Sequence, residues 1–455
     1  MKNLNLKEML SIIEGKIIRG TDELLIDHAA IVPHKLKDNS LYFNMQDDPV
    51  DFNSFKNCAM VINSEHYNVE NSKWTVVAVE DVEKAFWRFV KYYRNLFNIP
   101  VVAVTGTCGK TTTKEMIKHI LSLHFKTAAT YKSINGWRMH LPYLLEIDET
   151  TEAAVFETAV AYPEDLIESC RYFKPDIGII TNIGVDHLSG CSTFDNYLNA
   201  KAEMMEGLGY RGTLILNADD KNISRIDLQP YKGRIIYFGL SKKSHFRASE
   251  ISLTDKGMQF SLEYKKLRYD IFVPGFGTHS IYNALAAIAC THVLGLGIKE
   301  AALRLASYKH LERHLQVVPG VNGSTIIDDT WSSNPTSMQA ALKTLQNLSG
   351  NKRKAAILGD MFYLYSWEKE LHREIGNLAV EIGLDILLTV GDAASEIARG
   401  ALEKGMNSEN IFICADADEA YQVICPLLDD NTIVLVKKSM KVSFNNLVNK
   451  IMNNE

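Results

Sequence analysis

The stretch "VVAVTGTCGKTTTKEMIKHI", residues 101–120, decides the fold of the middle of the chain. Its apolar run at 101–104 has the composition of a buried strand. Gly106 and Gly109 mark a tight turn. From Lys110 onward, Met116, Ile117, Ile120 and Leu121 recur at helical spacing. Strand, glycine turn and helix form the context of a phosphate-binding loop. Glycines let backbone N–H groups approach phosphate oxygens, and the helix adds its positive end. Lys110 supplies a cation for the terminal phosphates, and Thr111 a hydroxyl for Mg²⁺. The loop is short, because Val104 stands where the longer motif carries its first glycine. Gly106, Thr107, Cys108, Gly109, Lys110, Thr111 and Thr112 are the candidate nucleotide-binding residues. A thiol at a helix start can be reactive. Cys108 has no catalytic partner nearby in the sequence and reads as a small tolerated side chain.

Outward from the loop, apolar runs recur at "AAVFE", "IGIITN", "TLILN" and "RIIYF", with helical stretches between most of them. That alternation predicts a mostly parallel sheet with crossover helices. Residues 246–273 alternate and turn at "TDKG", which predicts an antiparallel appendage. "THSIYNALAAIACTHVLGLG" then predicts a helix ending on glycine. Beyond residue 311, the runs "STIIDD", "KAAILGD", "DILLTVGD", "NIFICAD" and "TIVLVKK" alternate with helices expected at 335–348, 367–381, 393–404, 416–427 and 443–453. This is a Rossmann-like pattern without the Gly-x-Gly-x-x-Gly fingerprint. Upstream, residues 1–78 suggest a small α/β domain. Residues 80–97 place Val82, Phe86, Phe89, Tyr93 and Leu96 on one helical face before Asn98 and Pro100 stop it. The expected fold is α/β with three domains: a small N-terminal α/β domain with its linker helix (1–98), a central P-loop domain with a mostly parallel sheet (99–310) and a C-terminal Rossmann-like domain (311–455).

The chain's 455 residues are 46% apolar and 23% charged, the balance of a globular protein with ample core. A formal net charge of −6 gives no reason to expect nucleic acid or an anionic membrane as partner. Seven cysteines without a Cys-x-x-Cys pair read as reduced thiols. The N-terminus lacks a signal-peptide pattern, and no apolar run approaches the ~18–20 residues of a membrane span. The expected location is the cytoplasm.

"AVTGTCGKTTT" resembles the ATP loop of the Mur ligases, the ATP-dependent amide-forming enzymes of peptidoglycan synthesis. Folylpolyglutamate synthetases share this shortened loop, which accounts for Val104. The resemblance spans about residues 100–445 and fits best the branch that adds D-alanyl-D-alanine. It implies a carboxylate–amine ligase that uses ATP and two Mg²⁺ ions and acts through an acyl phosphate. Glu157 in "AVFETA" and His187 in "TNIGVDHLSG" match magnesium-binding positions, beside Thr111. On the residues alone, Glu157 reads as a strand-end surface acid and His187 as a structural histidine. Lys201 in "LNAKAEMMEGL" matches the lysine that many Mur ligases carry as a carbamate. Adding CO₂ turns a cation into an anionic oxygen ligand suited to a hard Mg²⁺. Without the resemblance, Lys201 is a surface lysine on an amphipathic helix. "GTHSIYNALAA" brings His279 and Asn283 to family positions, Asn283 towards the adenine; by itself Asn283 reads as a helix-start cap. Arg313 in "LERHLQ" matches an arginine that reaches ATP when domains close. "IIDDTWSSNPTSM" puts Asp329 at the ribose and Asn334 at a motif position, and "AILGDMFYL" with His372 continues the likeness. The catalytic set so implied is Lys110, His187, Lys201 and Arg313.

The substrate-recognition ends depart from the pattern. Residues 1–80 keep only "NSLYF", without the Ser/Thr-Arg and Gly-rich pieces expected around UDP. "SINGWRMHLP" (133–142) has one asparagine for a paired stretch and His140 for a glycine. "ETAVA" replaces Glu-Met-Gly. "VKKSMK" (436–441) replaces Lys-Gly-Ser-Arg, with Met440 in the place of an arginine that would grip the incoming carboxylate. A thioether cannot pair a carboxylate, which leaves Lys438 or Lys441 as substitutes. Three readings follow. They are the cell-wall ligase or a close relative, a Mur-like amide ligase on a non-peptidoglycan carboxylate, and a catalytically silent nucleotide-binding scaffold. The expected partners are a small-molecule carboxylate acceptor and an amino acid or dipeptide, with neither nucleic acid nor membrane; a monomer is one arrangement the sequence allows.

Overall fold

The computed structural model describes residues 1–46, 48–63 and 73–452. The chain divides into two compact units. The first comprises Met1–Ala103, Leu121–Thr158 and Ile167–Ile177, and the second Val104–Ile120, Ala159–Leu166 and Gly178–Glu455. The division runs through the strand Val101–Thr105.

In the first unit, a five-stranded sheet orders Lys16–Arg19, Thr75–Val79, Ala59–Asn63, Ser40–Phe43 and His28–Ala30. Only the first pair is antiparallel. The helix Val82–Asn95 packs on it. Asp81 caps this helix by accepting from the Lys84 N–H at 3.0 Å. Val82, Phe86, Phe89 and Tyr93 are buried as the helical spacing predicts, with Phe86 and Phe89 each 5.4 Å from the Phe43 ring. Leu96 falls just past the last turn and is half-buried. The Arg94 guanidinium is buried yet satisfied by the carbonyls of Phe173 (2.6 Å) and Phe97 (2.7 Å), as a charge inside a protein requires. This unit also holds the strands Thr127–Ala129 and Ala153–Glu157, paired in parallel.

A nine-stranded sheet continues from these two through Val101–Thr105, Ile177–Ile180, Thr213–Asn217 and Arg234–Gly239, and ends in Phe246–Thr254, Gly257–Tyr264 and Leu267–Pro274. The last three strands are the expected antiparallel appendage. It is not a separate piece, because Phe246–Thr254 joins the sheet parallel to Arg234–Gly239 before the meander reverses. The helix Lys110–Leu121 follows the loop with Met116, Ile117, Ile120 and Leu121 fully buried. The helix Thr278–Val293 ends before Gly295, whose φ of 99° suits a residue without Cβ.

The C-terminal part of the second unit is a six-stranded sheet in the order Gln316–Pro319, Thr325–Asp329, Thr432–Lys437, Arg353–Gly359, Ile386–Val390 and Ile411–Cys414. Its first pair is antiparallel and the rest parallel. The helices Pro335–Ser349, Glu368–Glu381, Ser395–Glu403, Ala417–Ile424 and Asn445–Ile451 lie where the apolar periodicity predicts. Residue 453, the end of the last expected helix, lies outside the described residues. Leu358, Leu387 and Leu435 from this sheet and Leu342, Ile375 and Ile397 from its helices form one core.

Candidate active site

The phosphate loop is laced to the segment that follows the neighbouring strand. Thr181 N–H donates to the Thr105 carbonyl (3.0 Å) and Thr107 N–H to the Asn182 carbonyl (3.0 Å). The Asn182 carboxamide spans Cys108, accepting its N–H and donating to its carbonyl, both at 2.9 Å. Thr181 Oγ1 donates to the same carbonyl at 2.6 Å. Gly184 N–H donates to Thr107 Oγ1 at 2.9 Å. Both loop glycines are required by close approach. Gly106 has φ 145° and Gly109 φ 79°; a Cβ there would lie 2.0 Å from Thr181 Oγ1 and 2.3 Å from Asn283 Oδ1 respectively. Thr181 and Asn182 were not among the residues the sequence singled out. Their signal is position, directly after the strand that neighbours Val101–Thr105.

The helix Lys110–Leu121 starts at the loop, so its first N–H groups and the Lys110 amine face the same region. Lys110 Nζ donates to the Thr107 carbonyl at 3.0 Å. Cys108 has its thiol pushed up to about 11 by burial, despite the nearby Lys110 charge. It is a packed thiol and not a thiolate, as its size suggested. Asn283 is not a helix-start cap. It lies inside the helix Thr278–Val293, buried against the loop, where its Oδ1 accepts from Thr113 Oγ1 at 3.3 Å.

Lys201 comes to the root of this loop. The helix Phe194–Ala202, capped by Thr193, presents it at 1% exposure. Its Nζ donates to Thr105 Oγ1 at 3.3 Å and lies 5.0 Å from the centre of the Tyr197 ring. Burial, and then the Lys110 charge, hold the amine well below the usual lysine range, while Asp186 pulls the other way. Lowering the pKa of a buried amine raises its neutral, nucleophilic fraction above that of an ordinary surface lysine. His187, in left-handed backbone (φ 50°), is held below the usual imidazole range by burial against the pull of Asp186. Its ring therefore keeps a free lone pair at neutral pH. Asp186 accepts from the Asn334 carboxamide at 3.0 Å and from His187 N–H at 2.9 Å.

Asn334 joins the C-terminal sheet to this group. It caps the helix Pro335–Ser349 in a reciprocal box with Ser337, and its Oδ1 lies 3.5 Å from Cys108 Sγ. Tyr363 stacks on His187, with centroids 5.2 Å apart, and its carbonyl accepts from Ser189 N–H at 3.0 Å. Asp329, at the end of its strand, is paired with buried Lys437 (2.6 Å). His279 lies near this pair and is pushed down to about 4 by burial, then by His310. His372 is buried, and its Nε2 accepts from the Met361 N–H at 3.1 Å, which fixes the turn of "GDM". Arg313, at φ 59°, lines a cavity of about 230 Å³ with Glu312, Gln316, Asp328 and Thr330.

Glu157 belongs to the first unit. It ends the strand Ala153–Glu157 at 2% exposure, so it is not a surface acid. Its Oε1 accepts from Asn135 Nδ2 at 2.7 Å, and its N–H donates to Thr130 Oγ1 at 3.0 Å.

A shortened phosphate loop on a parallel sheet, followed by a Rossmann-like sheet whose helix cap reaches back to that loop, defines a class of multidomain nucleotide-dependent ligases. The Mur ligase middle domain matches residues 104–291, and the Mur ligase glutamate ligase domain matches residues 313–439. The chain belongs to the Mur ligases, and it is an ATP-dependent peptide ligase. It is 30% identical to the UDP-N-acetylmuramoyl-tripeptide–D-alanyl-D-alanine ligase of Buchnera aphidicola subsp. Baizongia pistaciae, over 71% of this chain and 70% of that one. It is 26% identical to the Bacillus subtilis protein of the same name, over 98% of each chain. A crystal structure of MurF from Acinetobacter baumannii shares its fold with a TM-score of 0.86, covering all of both chains at 23% identity. Among the described residues no helix is long and apolar enough to cross a membrane.

Proposed function

We propose that this ligase joins the terminal carboxylate of a UDP-muramoyl tripeptide to the amine of D-alanyl-D-alanine, through domains 1–98, 99–310 and 311–455. The Lys201 amine carries the reading, since it is buried beneath the phosphate loop, reaches Thr105 and is held well below the usual lysine range by burial. Such a group has no stabilising role as a cation, but it is ready to take up CO₂ as a carbamate. The donor set also fits Mg²⁺. Among the described residues no three His, Cys, Asp or Glu side chains form a metal cluster on their own. Mg²⁺ is commonly held by one or two carboxylates together with substrate phosphates. Thr111, His187 and the Lys201 carbamate of the second unit would hold it, where it would supply neutralisation of the charge between carboxylate and triphosphate.

The chain's own residues then divide the work. The loop N–H groups from Gly106 to Thr112 and the Lys110 amine hold the triphosphate. The acceptor carboxylate attacks the γ-phosphate, ADP leaves, and the amine displaces phosphate from the acyl phosphate. Asn283 borders the nucleotide from its helix, and Asp329 and Arg313 complete the nucleotide site from the C-terminal domain. Closure of that domain keeps water from the acyl phosphate.

The test is phosphate release by the full chain with ATP, UDP-muramoyl tripeptide and D-alanyl-D-alanine, with mass spectrometry of the product. Release that needs both substrates and yields the condensed product is expected, and Lys110→Ala abolishes it. ATP binding without release for any acceptor and amine would leave the scaffold reading. The exposed Met440 favours a second reading, in which the same machinery acts on a different carboxylate or amine. A screen of free amino-acid acceptors in the same assay separates it from the first.

A further inference from the structure

A histidine that ligates a metal needs its ring plane fixed, and a hydrogen bond from the second ring nitrogen commonly fixes it. At His187 that bond is missing. Neither ring nitrogen has a hydrogen bond among the described residues, and the nearby Asp186 Oδ2 lies 4.0 Å from Nε2, beyond hydrogen-bond reach. The Asp186 oxygens are engaged by the His187 N–H (2.9 Å) and the Asn334 carboxamide (3.0 Å). The local backbone adds no hold on the ring. His187 is the left-handed residue before the four-residue helix Leu188–Cys191, and its side chain caps nothing.

The ring is held by its face instead. Tyr363 stacks on it with centroids 5.2 Å apart and planes 24° apart, within the favourable range for offset aromatic pairs. Tyr363 is itself fixed from two sides. Its carbonyl accepts from Ser189 N–H at 3.0 Å, and the Lys441 ammonium lies 4.0 Å from its ring centre. The residue holds φ of 65°, which is uncommon for a bulky side chain. At 46% exposure, burial of the ring does not select that conformation; the contacts with Ser189 and His187 do. Stacking uses the imidazole face and leaves both nitrogens, at the ring edge, open to a ligand.

We propose that Tyr363 is the positioning residue for His187: its stacked ring sets the imidazole plane for a divalent cation, in place of the missing hydrogen bond. The inference rests on the ligase reading above and makes metal affinity depend on a residue of the C-terminal domain. The Ser189–Tyr363 bond ties the turn after "GDM" to the segment that carries His187, so the ring and the histidine it orients are brought together by the same contact.

Two readouts on the full chain with ADP test this. One is the His187 ring signal in NMR spectra of histidine-labelled protein, identified by its absence from His187→Ala. The other is Mn²⁺ affinity by electron paramagnetic resonance. Tyr363→Gly removes the ring and suits the left-handed backbone, and Tyr363→Phe keeps the stack. Wild type and Tyr363→Phe should show the His187 ring protons shifted upfield by the stacked ring, and Tyr363→Gly should lose that shift. The Mn²⁺ Kd should rise about tenfold or more in Tyr363→Gly and change little in Tyr363→Phe. It should rise in His187→Ala as well, and adding Tyr363→Gly to that variant should change it little further. No upfield shift in the wild type, a Tyr363→Gly protein that binds Mn²⁺ as the wild type does, Mn²⁺ affinity indifferent to His187→Ala, or losses that add in the double variant each overturn the proposal. Phosphate release, measured separately, judges the ligase reading. Coupling between Tyr363 and His187 in a chain that releases no phosphate sinks that reading alone, and release by a chain without the coupling sinks the positioning role alone.

Discussion

At Lys201, chemistry and stability pull in opposite directions. The amine has one long hydrogen bond and a ring for company, inside a site that removes it from water. An unpaired buried amine costs folding free energy, and an apolar side chain of similar length does not. Lys201→Met is therefore expected to stabilise the fold by about 1–3 kcal/mol while abolishing phosphate release. The pH dependence carries a sign. The folded amine sits well below its ordinary range, so the unfolded chain holds that proton more tightly than the folded chain does. Wild-type stability then rises with pH up to about 10.5, and the advantage of methionine shrinks along the same path. Urea unfolding of both proteins at two pH values reads it. An advantage that is absent at neutral pH, or that grows with pH, would contradict a buried amine whose pKa is lowered by folding. A second readout is CO₂: in carbonate-free buffer the wild type should lose activity and regain it with added bicarbonate.

The elements that carry the site are short-range structures meeting across the second unit, and Asn334 shows how. As N-cap of Pro335–Ser349 it satisfies Ser337 N–H at 2.8 Å, and as a donor it holds Asp186 at 3.0 Å. Asn334→Asp keeps a good cap and turns the second contact into carboxylate against carboxylate. Helix stability should stay within about 1 kcal/mol, whereas kcat/KM should fall about tenfold or more as the repulsion opens the contact. The exchange Asp186→Asn with Asn334→Asp restores one donor and one acceptor and should recover much of the loss; no recovery would mean that Asp186 acts elsewhere. The elements themselves were mostly legible. Loop, helix Lys110–Leu121 and the C-terminal strands follow apolar periodicity that burial enforces. The edge strands Thr127–Ala129 and Gln316–Pro319 did not stand out, because short edge strands are only partly buried and leave no period. The joining of Phe246–Thr254 to the parallel sheet was hidden as well, since alternation reports a half-buried face and not the direction of the neighbour. At the site, the loop had its strand–turn–helix spacing to reveal it, whereas Glu157, His187 and Lys201 stood out only through the family resemblance. Asp186, Asn182 and Tyr363 act through tertiary neighbours, as in Tyr363 stacking on a histidine far away in sequence.

Across the whole molecule, buried histidines set the response to acid. His140 and His279 are each pushed down to about 4, chiefly by burial, and His187, His310 and His372 are lowered for the same leading reason. Each is neutral when folded and becomes protonated near pH 6.5 when unfolded. The unfolded chain thus takes up protons first, and stability is lost as pH falls from about 6.5 towards 4. A group displaced from about 6.5 to about 4 removes on the order of 2 kcal/mol between pH 7 and pH 5. Glu203 works the other way. Burial lifts it to about 6, so the folded chain keeps a proton there between about 4.5 and 6 and its term favours the acid side, too small to offset several histidines. His140 isolates the effect, because its ring lies among Tyr172 and Phe173, its Nε2 is 3.1 Å from Ser169 Oγ and its Nδ1 has no partner among the described residues. His140→Phe loses the serine contact and keeps the aromatic packing. Relative to wild type it should gain about 2 kcal/mol between pH 7 and pH 5, seen as a shallower fall of Tm in acid. If the Tm difference between the two proteins is the same at both pH values, His140 is not the proton acceptor that unfolding exposes.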